Sequence, residues 1–326
     1  MSNKSILLVS SDDDISTNEL IKWILFRGYS YLRINSSHKF EIIELNLIDE
    51  RIIFSFEGKR YDMFNDFKSV LFRRGRLGLN LSISKELEKV FKNDMFYDYF
   101  KLERNFLDAA VIFLMKKKLK VLGDPYRYTT SRLIAHIESN RLNLINPRCI
   151  VTNSKSVLLD FWNSCNKRII SKGIQDIFTY TDRKIAADTS TLLITEDIIA
   201  ELPEKFEYSH FQEYIEKDYE IRTFYLKNKF YSMAIFSQSS ELTKIDYRTY
   251  DTTWPNKNVP YKLPIDMEKK LNKLMIFFSL DNGSIDIIKG KDGLYYFLEI
   301  NPIGQFDNVS KICNYDIENK ILDELQ

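Results

Sequence analysis

Short apolar, β-branched runs recur along the chain, and stretches of helical period fall between them. Lys4-Ser5-Ile6-Leu7-Leu8-Val9-Ser10 reads as a buried strand, since its apolar run leaves no polar face. Ser16-Thr17-Asn18-Glu19 has the spacing of a capping box, which predicts a helix through Phe26 that Gly28 ends. Residues 31–34, 51–56 and 70–72 predict strands, and residues 85–119 a long helix. Gly123-Asp124-Pro125 then punctuates the chain. A helix capped by Thr129-Thr130-Ser131, a strand at 149–152, a helix at 153–167 and the strand Arg168-Ile169-Ile170-Ser171-Lys172-Gly173 follow. Residues 174–205 read as short β-structure with polar connections. Beyond them come two strands around 220–237, a polar loop at 239–258, a helix at 265–280 and a closing hairpin. The pattern predicts an α/β (α+β) protein in three parts, residues 1–122, 123–205 and 206–326.

The closing hairpin carries the strongest chemical signal. Gly283-Ser284-Ile285-Asp286-Ile287-Ile288 and Tyr296-Phe297-Leu298-Glu299-Ile300-Asn301-Pro302 flank Asp292-Gly293, which predicts a two-residue type I′ turn. Counting outward, Asp286 lies opposite Glu299, and Asn301 shares the face of Glu299. A slip of one residue would turn Asp286 to the other face. Like charges set opposite one another are costly unless something positive sits between them. An all-oxygen set suits a hard cation such as Mg2+.

Composition narrows the classes. The 326 residues are 44% hydrophobic and 29% charged, as in an ordinary globular protein. A net charge of +1, from 47 basic and 46 acidic residues, gives no reason to expect nucleic acid or an anionic membrane as the main partner. Cys149, Cys165 and Cys313 form no CxxC pair. With no secretory signal and no apolar run of about 18 residues, the expectation is a reduced, cytoplasmic protein. His38, His136 and His210 are widely spread, which argues against a His-rich metal site or a Ser-His-Asp hydrolase. Cys313 reads as a packing residue, Asp12-Asp13-Asp14 as an acidic loop before a helix, and Arg73, Arg74 and Arg76 as a solvated turn in preference to an anion or peptide contact.

The order of the motifs adds a resemblance. A lysine ends a strand (Lys172), then come Gln212-Glu213-Tyr214-Ile215, Glu220-Ile221-Arg222, Asp286 and Glu299-Ile300-Asn301-Pro302. This order resembles the ATP-grasp superfamily of carboxylate–amine and carboxylate–hydroxyl ligases. Tyr219-Glu220-Ile221-Arg222-Thr223-Phe224-Tyr225, Ser232-Met233-Ala234-Ile235-Phe236-Ser237-Gln238, Asp246-Tyr247-Arg248 and the extension Ile303-Gly304-Gln305-Phe306 look like its peptide-maturase branch. That branch holds the graspetide (microviridin-type) ligases and, closest here, the maturases of grasp-with-spasm systems. Phe72-Arg73-Arg74-Gly75 resembles it too.

The resemblance implies an ATP-grasp fold, with an N-terminal α/β pre-ATP-grasp domain and nucleotide bound between the central and C-terminal domains. It implies ATP and Mg2+ as cofactors. It assigns Lys172 to the phosphates, residues 212–215 (Gln212, Glu213, Tyr214, Ile215) to adenine, Glu220 to the ribose and Arg222 to the γ-phosphate or acyl phosphate. Asp286, Glu299 and Asn301 match the magnesium ligands, and Asp246 and Arg248 stand where the branch meets its acceptor peptide. Two departures stand out. Arg132 occupies the place of an earlier lysine, and arginine is a planar fork rather than a point charge. Only Gly173 follows Lys172, where many relatives have a glycine-rich loop.

The implied chemistry converts an Asp or Glu side chain of a ribosomal precursor peptide into an acyl phosphate. A Ser/Thr hydroxyl or Lys amine of the same peptide then closes an ester or amide ring. The implied partners are a precursor peptide with a leader, a radical-SAM/SPASM enzyme of the same pathway and a second copy in a homodimer. Two other readings stay open: a ligase adding amino acids to a small-molecule or protein carboxylate, and a nucleotide-bound peptide-binding module without turnover.

Overall fold

A computed structural model describes residues 4–78, 94–127, 130–174, 179–181, 186–188, 191–237 and 256–326. Asp246 and Arg248 lie outside the described residues. The chain divides into two compact units, Met1–Tyr128 with Asp316–Gln326, and Thr129–Tyr315.

The first unit opens with β1 (Ser5–Ser10), α1 (Ile15–Phe26), β2 (Tyr31–Asn35), β3 (Phe40–Asn46), β4 (Arg51–Phe56) and β5 (Lys59–Asp62). A short α2 (Met63–Asp66), β6 (Phe67–Phe72), α3 (Asp94–Lys118) and β7 (Lys120–Leu122) follow. Strands β2-β1-β6-β7 form a parallel sheet, and β3-β4-β5 an antiparallel one. Leu7, Val9, Phe54, Phe67, Val70 and Met115 share their core. Burying such a side chain contributes roughly 1.5–3 kcal/mol. The capping box expected at Ser16 is displaced. Asp14 is the N-cap, and Ser16 and Thr17 are buried in the first helical turn. Asp14 is itself fully buried, accepting from Ser10 Oγ at 3.1 Å and pairing with the buried Arg73 at 3.6 Å. Arg73 is therefore an internal counter-ion and not part of a solvated turn.

The second unit carries the candidate site. It contains α4 (Arg132–Arg141), β8 (Cys149–Ser154), α5 (Lys155–Ser164), β9 (Ile169–Lys172), β10 (Thr179–Thr181), β11 (Ala186–Asp188), β12 (Leu192–Ile194) and α6 (Glu196–Glu201). Long strands β13 (Lys205–Glu213), β14 (Lys217–Leu226) and β15 (Lys229–Phe236) come next. Then come β16 (Lys257–Tyr261), α7 (Ile265–Phe277), β17 (Asn282–Gly290), β18 (Tyr295–Asn301) and α8 (Asp307–Cys313). The last helix, α9 (Ile317–Glu324), belongs to the first unit, where Asp323 pairs with Arg27, the residue after α1, at 2.7 Å. Helix α6 falls where short β-structure was expected, and strand β16 begins in the last two residues of the expected polar loop, most of which lies outside the described residues.

Two sheets organise this unit. One has the order β12-β9-β13-β8, the other β16-β15-β14-β17-β18. Residues 214–216 connect β13 of the first to β14 of the second. Ile221, Ile285, Ile287, Phe297 and Ile300 face a core completed by Leu271, Leu274 and Met275 of α7. Their alternation leaves Arg222, Asp286 and Glu299 on the opposite face.

Candidate functional site

The register of the hairpin brings the acids together. Asp286 pairs with Glu299, and Ser284 with Asn301, as the spacing predicts. The turn that delivers this register differs from expectation. Gly290 N–H donates to Leu294 C=O at 2.9 Å, so the loop is Lys291-Asp292-Gly293, three residues and not two. Gly293 N–H returns to Gly290 C=O, and Gly293 takes φ +84°, the left-handed residue that closes a three-residue hairpin loop. An added loop residue moves the ladder by one, and Ile287 accordingly faces Phe297. An unbroken ladder would then set Leu298 opposite Asp286. A register shift after Asp286 takes up Leu298 as an extra residue and returns Glu299 to its place. His136 of α4 meets this bulge, its Nε2–H donating to Leu298 C=O at 2.7 Å.

Two arginines separate the paired carboxylates from simple repulsion. Arg222 Nη1 lies 3.1 Å from both oxygens of Asp286. Arg132 holds Glu299 with Nη2 at 2.7 Å and Nε at 2.9 Å. Its Nη1 donates to Gly173 C=O, so one guanidinium ties helix α4 to β18 and to the residue after Lys172. A lysine could supply the charge but not this fork. Ser131 caps α4, its Oγ accepting from Ile134 N–H, which fixes the turn that presents Arg132.

Arg222, Asp286, Glu299 and Asn301 line one cavity of about 570 Å3. Met233, Ile235 and Ile312 give it an apolar part, and Asn256, Asn258, Gln305 and Asn308 a carboxamide wall. Asn258 Oδ1 is buried with no hydrogen-bond partner among the described residues. Asn301 is more committed than a simple ligand. Its Oδ1 accepts from Ile303 N–H and Gly304 N–H, both at 3.1 Å, and so builds the turn after β18. Gly304 has φ +36°, and a Cβ there would stand 2.3 Å from Ser284 N. Only glycine fits.

The remaining predicted residues lie along the other sheet and its connection. Lys172 ends β9 directly across from His210, and Gln212 is buried across from Ile170 and Cys149. Glu213 pairs with Arg148 at 2.9 and 3.0 Å, which holds its carboxyl below the usual range despite partial burial. Tyr214 donates its N–H to Arg168 C=O at 3.0 Å and carries the Arg168 guanidinium 4.8 Å over its ring. Ile215 is half-buried in the connection between the sheets. Glu220 shares the face of Arg222 and is held by buried Lys217 and by Ser237 Oγ at 3.5 Å.

One grouping was missed. The sequence argued against a histidine metal site, yet the ligand atoms of His136, Cys149 and His210 lie within 4.8 Å of one another. Burial lowers the pKa of both histidines, that of His210 to about 4, with Lys172 and Arg132 adding to the effect. Both ring nitrogens of His210 are buried without a partner among the described residues, which costs roughly 1–3 kcal/mol for each such group. No spacing could reveal this set, because its members come from α4, β8 and β13.

No protein-family model matches the sequence, and no curated protein sequence matches it. Solved structures do match. The chain is similar to the macrocyclase MdnC of Microcystis aeruginosa MRC, solved with precursor peptide MdnA, at a TM-score of 0.73 and 23% identity over 98% of this chain and 99% of that one. It is similar to a Chryseobacterium gregarium RiPP-associated ATP-grasp ligase, solved with ADP and a leader and core peptide, at 0.75 and 23% over 99% and 95%. It is also similar to the ATP-grasp ligase PsnB, solved with minimal precursor, Mg and ADP, at 0.65 and 16% over 100% and 99%. This chain has the ATP-grasp fold. The matches cover 98% and 99% of the chain, and so include the pairing of Asp286 with Glu299 and the carboxamide wall. No helix among the described residues is long and apolar enough to cross a membrane.

Proposed function

We propose that the chain is an ATP-grasp ligase that closes rings in a ribosomal precursor peptide, activating Asp or Glu side chains for attack by Ser/Thr hydroxyls or Lys amines. The observation that carries this reading is the paired Asp286 and Glu299, each on its own arginine, facing a cavity with a carboxamide wall. Likeness to a macrocyclase solved with its precursor peptide, and to a RiPP-associated ligase solved with a leader and core peptide, supports the substrate class. Carboxamides of Asn258, Gln305 and Asn308 suit the amides and hydroxyls of a peptide better than one compact small molecule.

The donor set fits Mg2+, since two carboxylates meet across one ladder. Asp286 and Glu299 would hold the ion, and Asn301 would join them by giving up one of its two turn hydrogen bonds. Bound there, Mg2+ neutralises phosphate oxygens as a carboxylate approaches them. Arg222, Lys172 and Arg132 supply the remaining positive charge, Glu220 the ribose contact, and residues 212–215 the adenine contact. Asp246 and Arg248 are assigned to the acceptor peptide. Residues 1–122, 123–205 and 206–326 are assigned as N-terminal, central and C-terminal parts, with nucleotide between the last two. Free Cys149, Cys165 and Cys313 support a reducing, cytoplasmic setting. A leader-bearing peptide, a SPASM-type partner enzyme and a homodimer remain part of the proposal.

Incubation with ATP, Mg2+ and the peptide encoded beside this gene is expected to give ADP and a loss of one water per ring. An unchanged peptide mass, with ADP formed only when a free amino acid is added, overturns the proposal in favour of a small-molecule or protein-tail ligase. Tight peptide and nucleotide binding without ADP release would instead mark a binding module.

A further inference from the structure

We propose that His136, Cys149 and His210 form a site for a transition metal of the zinc class, separate from the carboxylate pair. Three elements converge on it. Cys149 and His210 form a diagonal pair on one face of the β8–β13 ladder, since Cys149 faces Gln212 and Val151 faces His210. Ile150 and Phe211, on the other face, belong to a hydrophobic core. His136 comes from α4, with its ring 6.2 Å from that of His210.

The geometry suits zinc. A tetrahedral zinc with one thiolate and one imidazole separates those ligand atoms by about 3.5 Å. His136 Nδ1 and Cys149 Sγ are 3.4 Å apart, and all three ligand atoms lie within 4.8 Å. The outer partner is present too. His136 donates Nε2–H to Leu298 C=O at 2.7 Å, which fixes the tautomer and leaves Nδ1 for a cation. His210 is fully buried, and neither ring nitrogen has a partner among the described residues. A cation would satisfy one of them. Lys172 and Arg132 also face the cluster, and the thiolate formed on binding, together with Glu299 on Arg132, offsets their charge. Nitrogen and sulfur donors select against Mg2+. Three protein ligands would leave one position of a tetrahedral zinc for a water, and Cys149 is the only partly buried member of the three.

Such a metal would bind α4 to the strand next to Lys172. It would therefore position Arg132, which lies one helical turn before His136, without touching substrate.

The test uses the full-length chain stripped with a chelator and titrated with Co2+ and then Zn2+. Wild type is expected to show a thiolate-to-cobalt charge-transfer band with the d–d bands of four-coordinate cobalt. Zinc should bleach these bands, and excess Mg2+ should not. Cys149→Ser should lose the charge-transfer band, while Cys165→Ser and Cys313→Ser keep it. His210→Gln should weaken zinc by more than roughly 100-fold, beyond the loss expected for an outer partner alone. A wild-type protein without the charge-transfer band overturns the proposal, whatever the variants do. A band that survives Cys149→Ser overturns it as well.

Discussion

In the five-stranded sheet of the second unit, each acid of the site meets a specific base. Asp286 has Arg222 and Glu299 has Arg132, at 2.7–3.1 Å. In the four-stranded sheet, Lys172, His210, Gln212 and Cys149 share one face, and the imidazole of His210 is buried without a partner among the described residues. The first sheet settles its charges within one ladder and one helix. The second places polar groups whose partners come from outside the ladder. A ladder can be read from spacing, whereas a face completed by other elements cannot.

The comparison can be broken first at Glu299. Glu299→Gln is expected to lower ADP formation by roughly 10²–10³-fold with peptide affinity unchanged by calorimetry. Near-normal rates at saturating Mg2+ would remove the carboxylate pair from the mechanism.

Arg132→Lys probes the link between the two sheets. It keeps the charge and loses the fork that holds Glu299 and Gly173 together. Turnover should fall about tenfold, with a lower melting temperature. An unchanged melting temperature would mean that the fork contributes nothing to the fold.

Gly304→Ala tests the turn built on Asn301. Left-handed backbone and the close approach of Ser284 predict a loss of roughly 1–3 kcal/mol in denaturant unfolding.

The smallest effect belongs to the other sheet. Glu213→Gln removes a partly exposed pair with Arg148, worth at most about 1 kcal/mol. Arg148 holds the Glu213 carboxyl below its ordinary range, so the stabilisation is present above the pKa of the unfolded carboxylate. It fades as pH falls through the folded value. Wild type and variant should therefore converge in melting temperature in acid, and a gap that widens there would contradict the ion pair.

These contrasts explain what the sequence could show. The pairing of Asp286 with Glu299 was legible because side-chain alternation has a fixed period of two. The loop between them was misread, since Asp292-Gly293 fits both a two-residue turn and the end of a three-residue one. The register survived because the bulge at Leu298 cancels the extra loop residue. Arg132 was visible only as a departure from a motif, and its grip on Glu299 needed the placement of α4. His136, Cys149 and His210 were invisible as a group, for they meet only when α4, β8 and β13 are assembled. The N-cap at Asp14 was missed because a buried counter-ion, Arg73, outweighs the local capping pattern.

The bulge at Leu298 also makes the hairpin a jointed lever. Its tip, Lys291-Asp292-Gly293, lies on one side of the joint and the acid pair on the other, with His136 and the Ile145 carbonyl gripping β18 at Leu298 and Phe297. The joint and the tip are anchored separately, since the Lys291 N–H donates to the Glu216 C=O at 2.8 Å. The exposed Lys291 side chain is thus a natural place to attach a fluorophore, so that the enzyme could be watched without touching the ladder that carries its acids.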